Sequence, residues 1–124
     1  MPTGSPTGCR ILVVEDEMMI ALLIEETLQE LGCVVVGPVS TLAAALLLAR
    51  EAALDAAILD VTIRGGHVYP VAEALRVRGI PFVLASGYGD WALPGVVQDR
   101  PRLTKPFTSR ELEAQVRLLC GDCR

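Results

Sequence analysis

Two kinds of hydrophobic pattern alternate along the chain. Short, uninterrupted apolar runs are typical of strands buried on both faces of a parallel sheet, and they occupy residues 11–14, 34–36, 56–59, 80–85 and 103–104. Between them, apolar residues recur at spacings of three and four, which predicts helices over residues 17–31, 41–53, 70–78 and 108–119. This alternation predicts an α/β fold with a doubly wound, five-stranded parallel sheet.

Individual residues mark where some of these elements begin or end. Gly37 and Pro38 are expected to stop the second strand. Thr108, followed three residues later by Glu111, is a capping box that begins the last helix. Residues 87–95 contain three glycines and one proline, so the fourth helix of the fold is expected to be short or irregular.

The amino-acid composition indicates the class of protein and argues against some kinds of partner. The chain has 124 residues, of which 52% are hydrophobic and 21% charged, as in a globular domain. Its net charge of −4, without a basic block, argues against nucleic acid as a partner. No apolar stretch approaches the length of a membrane span, so we expect a cytoplasmic protein that does not bind membranes. The domain is expected over residues 9–120, with a flexible leader at 1–8 and a tail at 121–124.

The four cysteines do not predict a disulfide framework. Cys9 and Cys33 adjoin apolar runs and are interpreted as small core residues. Cys120 and Cys123 form a C-x-x-C motif at the end of the chain, without the second ligand pair or following helix that a metal or redox site needs. We therefore expect no role for that pair.

Polar side chains follow four of the five predicted strands at the point where each strand ends. Glu15 and Asp16 follow the first strand, Asp60 ends the third, Ser86 the fourth and Lys105 the fifth. The carboxyl ends of parallel strands share one edge of the sheet, so these residues are expected to converge.

This combination predicts phosphoryl-transfer chemistry. Three converging carboxylates repel one another unless they are protonated or bind a cation, and oxygen ligands suit Mg²⁺. A carboxylate such as Asp60 can also attack phosphorus and form an aspartyl phosphate. Lys105 would supply a fixed positive charge and Ser86 a hydroxyl donor. The bond between Lys105 and Pro106 is a candidate for the cis form.

Each of these residues also has an ordinary explanation. The acids at 15–17 could be first-turn residues favoured by a helix dipole. Ser86 could be a turn residue, and Lys105 a solvated charge. The functional interpretation is preferred because all of them fall at the correct strand ends together.

Four short motifs carry a resemblance to a known family. They are VVEDE at 13–17, LDV at 59–61, LASGYG at 84–89 and KPF at 105–107. In this order and spacing, the chain resembles the CheY-like receiver domains of two-component response regulators over residues 10–119. Within that family it is similar to the FATGUY branch, since residues 84–87 read Leu-Ala-Ser-Gly where that branch has Phe-Ala-Thr-Gly.

The resemblance implies a magnesium site. Asp60 is then the phosphoacceptor, and Glu15 and Asp16 are the acidic pair that holds Mg²⁺ with it. Thr62, two residues after the acceptor, is expected to offer its backbone carbonyl to the metal.

The resemblance also implies a switch. Ser86 is the expected switch hydroxyl, replacing the more usual threonine, and Lys105 is the expected contact of the phosphoryl group. Arg102 stands where many receivers have an aromatic switch residue, which leaves Tyr88 as the nearby aromatic side chain that could replace it.

The segment at 87–97 follows the switch hydroxyl. Because its glycines and proline make a regular helix costly, we expect it to be mobile before phosphorylation and to become ordered afterwards. The ordered form is expected to present Trp91, Arg100 and Arg102 as the face for an output partner.

The function implied by the resemblance is that of a stand-alone receiver. It would accept a phosphoryl group from a histidine kinase or a histidine phosphotransfer protein. It would then signal by contact with a protein partner, or act as a phosphate shuttle or sink. It is expected to be no enzyme beyond assisting its own phosphotransfer and autodephosphorylation.

Two other functions are alternatives. Asp60-Val61-Thr62 resembles the start of the D-x-D-x-T motif of haloacid-dehalogenase-type phosphatases, although Thr62 replaces the second aspartate. A flavodoxin-like electron carrier shares the predicted fold, but no phosphate-binding loop follows the first strand.

His67, the only histidine, lies after the acceptor. It could tune the phosphate lifetime, although a solvated loop residue is the preferred interpretation.

Overall fold

The computed structural model of the protein describes residues 7–63, 66–87 and 102–121. The strands are β1 (Arg10–Val14), β2 (Val34–Val39), β3 (Ala56–Asp60), β4 (Thr62–Ile63), β5 (Gly66–His67), β6 (Phe82–Ser86) and β7 (Arg102–Thr104). The helices are α1 (Met18–Glu30), α2 (Leu42–Glu51), α3 (Tyr69–Val77) and α4 (Ser109–Gly121). The predicted irregular segment at 87–97 lies outside the described residues from 88 onwards. Residues 1–6 of the predicted leader at 1–8 and residues 122–124 of the predicted tail at 121–124 also lie outside them.

Five strands form one parallel sheet in the order β2-β1-β3-β6-β7. This confirms the predicted doubly wound α/β fold. The register sets Asp60 of β3 beside Ala85 of β6, and it sets Ser86 beside Thr104 of β7. Because all five strands run in the same direction, the residues at their carboxyl ends share one edge of the sheet.

The apolar core has two layers, one on each face of the sheet. Leu12 and Val14 of β1 face the layer that contains α2 and α3, whereas Ile11 and Val13 face the layer that contains α1 and α4. This alternation is what a strand buried on both faces produces. The predicted inward positions of the last helix are confirmed, since Leu112, Val116 and Leu119 are buried in the second layer.

The second strand is longer than predicted, because Gly37 and Pro38 do not stop it. The pairing between β1 and β2 shifts register after Leu12 and resumes at Val39. Gly37 has a φ of +106°, and a Cβ atom there would lie 2.9 Å from the carbonyl oxygen of Val13. Glycine therefore allows an irregularity within the strand. Proline is tolerated in β2 because this strand lies at the edge of the sheet.

Three local predictions are settled by the structure. Thr108 and Glu111 form the predicted capping box, with backbone-to-side-chain hydrogen bonds of 3.0 and 2.8 Å. The bond between Lys105 and Pro106 is cis, as expected. His67, which was interpreted as a loop residue, instead lies in the short antiparallel pair β4 and β5, where it pairs with Thr62.

The pairing of the cysteines differs from the prediction. Cys9 and Cys33 are buried as predicted, but Cys9 forms a disulfide with Cys120 across a sequence separation of 111 residues. The two lie close because β1 begins, and α4 ends, at the same edge of the sheet. Cys33 is a thiol outside the disulfide, and burial raises its pKa. Cys123, the other half of the C-x-x-C motif, lies outside the described residues.

No helix in the described part of the chain has both the length and the apolarity needed to cross a bilayer.

Candidate functional site

Asp60 is the last residue of β3, at the carboxyl edge of the sheet. Only 5% of the residue is exposed. Its Oδ1 accepts a hydrogen bond of 3.4 Å from the backbone N–H of Thr62, and its Oδ2 lies 3.2 Å from Lys105 Nζ. The buried apolar residues of β3 thus deliver one carboxylate to the sheet edge and keep it largely out of water.

Two more acids follow β1 at the same edge. Glu15 is buried, and its Oε2 accepts hydrogen bonds of 3.1 Å from Lys105 Nζ and from the backbone N–H of Glu17. Its Oε1 is buried and has no hydrogen-bond partner among the residues that the structure describes. Each of Glu15, Asp16 and Asp60 offers one carboxylate oxygen, and the three oxygens lie within 4.8 Å of one another.

These carboxylates fit a hard divalent cation. Carboxylate oxygens are the ligands that Mg²⁺ prefers, and the unpartnered Oε1 of Glu15 is an oxygen available for coordination. The donor set therefore matches the predicted metal.

Lys105 lies just after β7, where its backbone N–H donates a 2.8 Å hydrogen bond to the carbonyl oxygen of Ser86. Its side chain is 14% exposed, and Nζ lies 3.1 Å from Glu15, 3.2 Å from Asp60 and 3.5 Å from Glu17. One ammonium group thus contacts three carboxylates from two different strand ends.

Ser86 ends β6, the strand beside β3. It is 1% exposed, and its Oγ has no hydrogen-bond partner within the described part of the chain. A Cβ atom added to the next residue, Gly87, would meet no described atom within 4 Å. The hydroxyl therefore has capacity for a further hydrogen bond, and no described atom would clash with a Cβ atom at Gly87.

The carboxylate and the ammonium of this site change each other's pKa. Burial, followed by the charge of Glu15, raises the pKa of Asp60 from 3.8 to about 7, against an opposing effect of Lys105. Burial lowers the pKa of Lys105, but the Glu15 and Asp60 carboxylates outweigh it, so the net shift is upward. Without a cation, the protonation of Asp60 therefore extends from the acidic range up to near-neutral pH.

The structure brings Glu15, Asp16, Asp60 and Lys105 into one cluster, with Ser86 at the end of the neighbouring strand. Their chemical roles stay predictions.

The other residues that the sequence analysis named as candidates lie outside this cluster or outside the described residues. Thr62 is exposed in β4. His67 is exposed in β5 and stacks on Tyr69 with ring centroids 5.5 Å apart. Arg102 is half-buried in β7, while Tyr88, Trp91 and Arg100 lie outside the described residues.

The contact between Glu17 and Lys105 was not predicted from the sequence. Apart from its place in the VVEDE motif, Glu17 was interpreted only as a first-turn acid, although it directly follows Glu15 and Asp16. A third consecutive acid beside a predicted cation site was the feature of the sequence that could have indicated this contact.

Many solved structures are similar to this chain, including the following three. SdrG from Sphingomonas melonis Fr1 is 45% identical, with a TM-score of 0.76 over 90% of this chain and 97% of that chain. A response regulator receiver protein from Sinorhizobium medicae WSM419 is 33% identical, with a TM-score of 0.80 over 91% of this chain and 94% of that chain. The receiver domain of the sensor histidine kinase PA1611 from Pseudomonas aeruginosa PAO1 is 26% identical, with a TM-score of 0.76 over 93% of this chain and 99% of that chain. That structure has a magnesium ion coordinated in its active-site cleft.

A curated protein is also similar in sequence. The uncharacterized transcriptional regulatory protein YbdJ of Bacillus subtilis (strain 168) is 32% identical over 114 residues, which are 89% of this chain. The match covers 50% of that protein, so the chain spans about half the length of this curated relative. No protein-family model matches the chain.

Proposed function

Because this chain belongs to the response regulator receiver domains, we propose that it accepts a phosphoryl group on Asp60 and signals to a protein partner. Receivers of this family are phosphoacceptors in two-component signalling. The finer proposal is that the signal leaves through a conformational change, or that the domain serves as a phosphate shuttle or sink. We further propose that it works in the cytoplasm and that it belongs to the FATGUY branch.

One observation carries this proposal. Lys105 Nζ lies 3.2 Å from Asp60 and 3.1 Å from Glu15, at the carboxyl edge of a parallel sheet. A buried carboxylate with a fixed ammonium beside it has both the nucleophile and the charge that an acyl phosphate needs.

Asp60, Lys105 and Ser86 have different roles in the proposed phosphoryl transfer. A carboxylate oxygen of Asp60 forms the new bond to phosphorus while the bond from phosphorus to the donor breaks, and the donor leaves with its electron pair. The Lys105 ammonium then moves from the carboxylates to the phosphoryl oxygens. The buried Ser86 hydroxyl, with its unused hydrogen-bonding capacity, donates to the same group.

Glu15, Asp16 and Asp60 would hold Mg²⁺, together with the backbone carbonyl of Thr62. The magnesium ion in the PA1611 receiver domain supports this assignment. When bound, the ion would neutralise the charge on the transferred phosphoryl group. The same charge would favour the ionised form of Asp60, which is the nucleophilic form.

The donor is proposed to be a histidine kinase or a histidine phosphotransfer protein. The output partner is proposed to contact the face that contains Arg102, with Trp91 and Arg100 from the segment before it. Neither partner is nucleic acid or a membrane in this proposal, in keeping with the net charge of −4.

Phosphorylation of Asp60 tests the proposed function directly. Wild-type protein incubated with acetyl phosphate and Mg²⁺ is expected to gain one phosphoryl group by intact mass, and to gain none when EDTA replaces Mg²⁺. Asp60→Asn is expected to show no adduct, because an amide is not a nucleophile toward phosphorus. Asp55→Asn is the matched control, since Asp55 lies just before the opposite end of β3. Labelling of Asp60→Asn at the wild-type rate would refute the assignment.

Lys105→Ala is expected to separate phosphorylation from switching. The variant keeps the nucleophile and the metal ligands, so it should still be labelled, at least tenfold more slowly, by acetyl phosphate. It should then lack the phosphorylation-induced change in the Trp91 fluorescence of the wild type. A full wild-type fluorescence change in phosphorylated Lys105→Ala would contradict the role of the lysine.

A further inference from the structure

Glu17 differs from the other two acids that contact Lys105. The side chains of Glu15 and Asp60 are 0% and 6% exposed, whereas that of Glu17 is 65% exposed. Glu17 Oε1 lies 3.5 Å from Lys105 Nζ. Glu17 therefore binds the ammonium group from the solvent side, while the other two acids bind it from the interior.

The backbone of Glu17 explains why its carboxylate is available for this contact. Glu17 is the residue before α1, and its side chain makes no capping hydrogen bond. Its backbone N–H donates to Glu15 Oε2 at 3.1 Å, and its carbonyl oxygen accepts from the N–H of Ala21 at 2.9 Å. The main chain is thus fixed from both sides beside the site, and the side chain reaches Lys105.

Glu17 also lies outside the set of acids that fits a cation. The three clustered carboxylates are those of Glu15, Asp16 and Asp60. A divalent cation bound to them would offset their charge but leave that of Glu17 facing Lys105. Glu17 would then compete with an incoming phosphoryl group for the same ammonium group.

We propose that Glu17 is a positioning residue that holds the Lys105 ammonium on the solvent side of the site and thereby slows the uptake of a phosphoryl group. Its negative charge also repels an anionic donor. The inference rests on the proposed function, because it concerns the rate of that reaction.

The contact itself can be measured without any phosphorylation. Lys105 is the only lysine in the chain, so acylation by a small amine-reactive ester, followed by peptide mapping, reports on this one side chain. Glu17→Gln removes the carboxylate on the solvent side of Lys105 Nζ and leaves the two interior carboxylates in place. The amine is then more accessible and its charged form less stabilised, so Lys105 is expected to be acylated about twofold to fivefold faster than in wild type, the range of an exposed ion pair. Glu26→Gln, an exposed acid farther along α1, is the matched control and is expected to match wild type.

The effect on the reaction is measured with acetyl phosphate and Mg²⁺. Glu17→Gln is expected to be phosphorylated about twofold to fivefold faster than wild type at low ionic strength. The difference should shrink at about 0.5 M salt, which screens exposed charges. Glu17→Asp restores the charge and is expected to return both rates toward wild type, which a purely structural role would not produce.

The outcomes separate this inference from the proposed function. If Glu17→Gln and wild type are acylated at Lys105 equally fast, or are phosphorylated equally fast on Asp60, the inference is wrong and the proposed function stands. If neither protein is phosphorylated, the proposed function fails, and with it the inferred effect on the rate. Faster acylation together with faster phosphorylation supports the role of Glu17.

Discussion

Reduction of the Cys9–Cys120 disulfide is expected to lower the free energy of unfolding by about 4–5 kcal/mol, because the bond closes a very long loop. Both cysteines are fully buried, and the sequence separation is 111 residues. The reduced thiols remain small apolar side chains in the same core layer. The loss therefore comes mainly from the larger conformational freedom of the unfolded chain.

The measurement is urea unfolding of the oxidised protein with and without a thiol reductant. The midpoint should fall strongly on reduction of wild type, and Cys9→Ala should show no such dependence on reductant. Cys33→Ala is the matched control, because Cys33 is a buried thiol of the same layer that is not in the disulfide. Its midpoint should still fall when reductant is added. Four titratable thiols in unfolded protein purified without reductant would show that the bond does not form.

Asp60→Asn is expected to stabilise the protein at pH 8 in the absence of Mg²⁺ by roughly 2–4 kcal/mol. The pKa of Asp60 is raised from 3.8 to about 7 in the folded state. Between pH 3.8 and about pH 7, Asp60 holds a proton in the folded protein but releases it in the unfolded chain. This carboxyl therefore lowers the free energy of unfolding progressively as the pH rises. Above about pH 7 the folded carboxyl is ionised, and the cost is fully present.

Thermal unfolding across pH tests this expectation. The melting temperature of Asp60→Asn should exceed that of wild type at pH 8 in EDTA, and the difference should disappear near pH 4. Added Mg²⁺ should narrow the difference at pH 8, because it offsets the charge of the wild-type carboxylate. Asp55→Asn serves as control, since Asp55 accepts a hydrogen bond from the backbone N–H of Arg10 away from the cluster. Equal melting temperatures of Asp60→Asn and wild type at pH 8 would contradict the raised pKa.

Much of the fold was predictable because burial leaves a regular pattern in the sequence. The apolar run at 56–59 predicted a central strand, and all five residues of β3 are buried. The convergence of Asp60 with Glu15 and Lys105 followed from the geometry of parallel strands, without any knowledge of distances. Elements with strong periodicity and residues at strand ends were therefore the reliable part of the prediction.

The features that were missed depend on tertiary contacts that have no local pattern. The pairing of Cys9 with Cys120 requires that the start of β1 lie beside the end of α4, which no spacing in the sequence reveals. The continuation of β2 past Gly37 depends on an irregular register against β1. The contact of Glu17 with Lys105 arises only once the loops after β1 and β7 meet at the sheet edge.

The disulfide also decides how the domain bears mechanical load. The Cα atoms of Cys9 and Cys120 are 6.2 Å apart, at the edge of the sheet opposite Asp60. Tension applied to residues outside this pair passes through the sulfur bridge, so the sheet and the site carry no force. Without the bridge, the same stretch of 111 residues could extend to about 350–400 Å. When the oxidised domain is pulled by its two ends, the stretch between Cys9 and Cys120 should therefore not lengthen. When the reduced domain is pulled in the same way, that stretch should unfold to its full extended length.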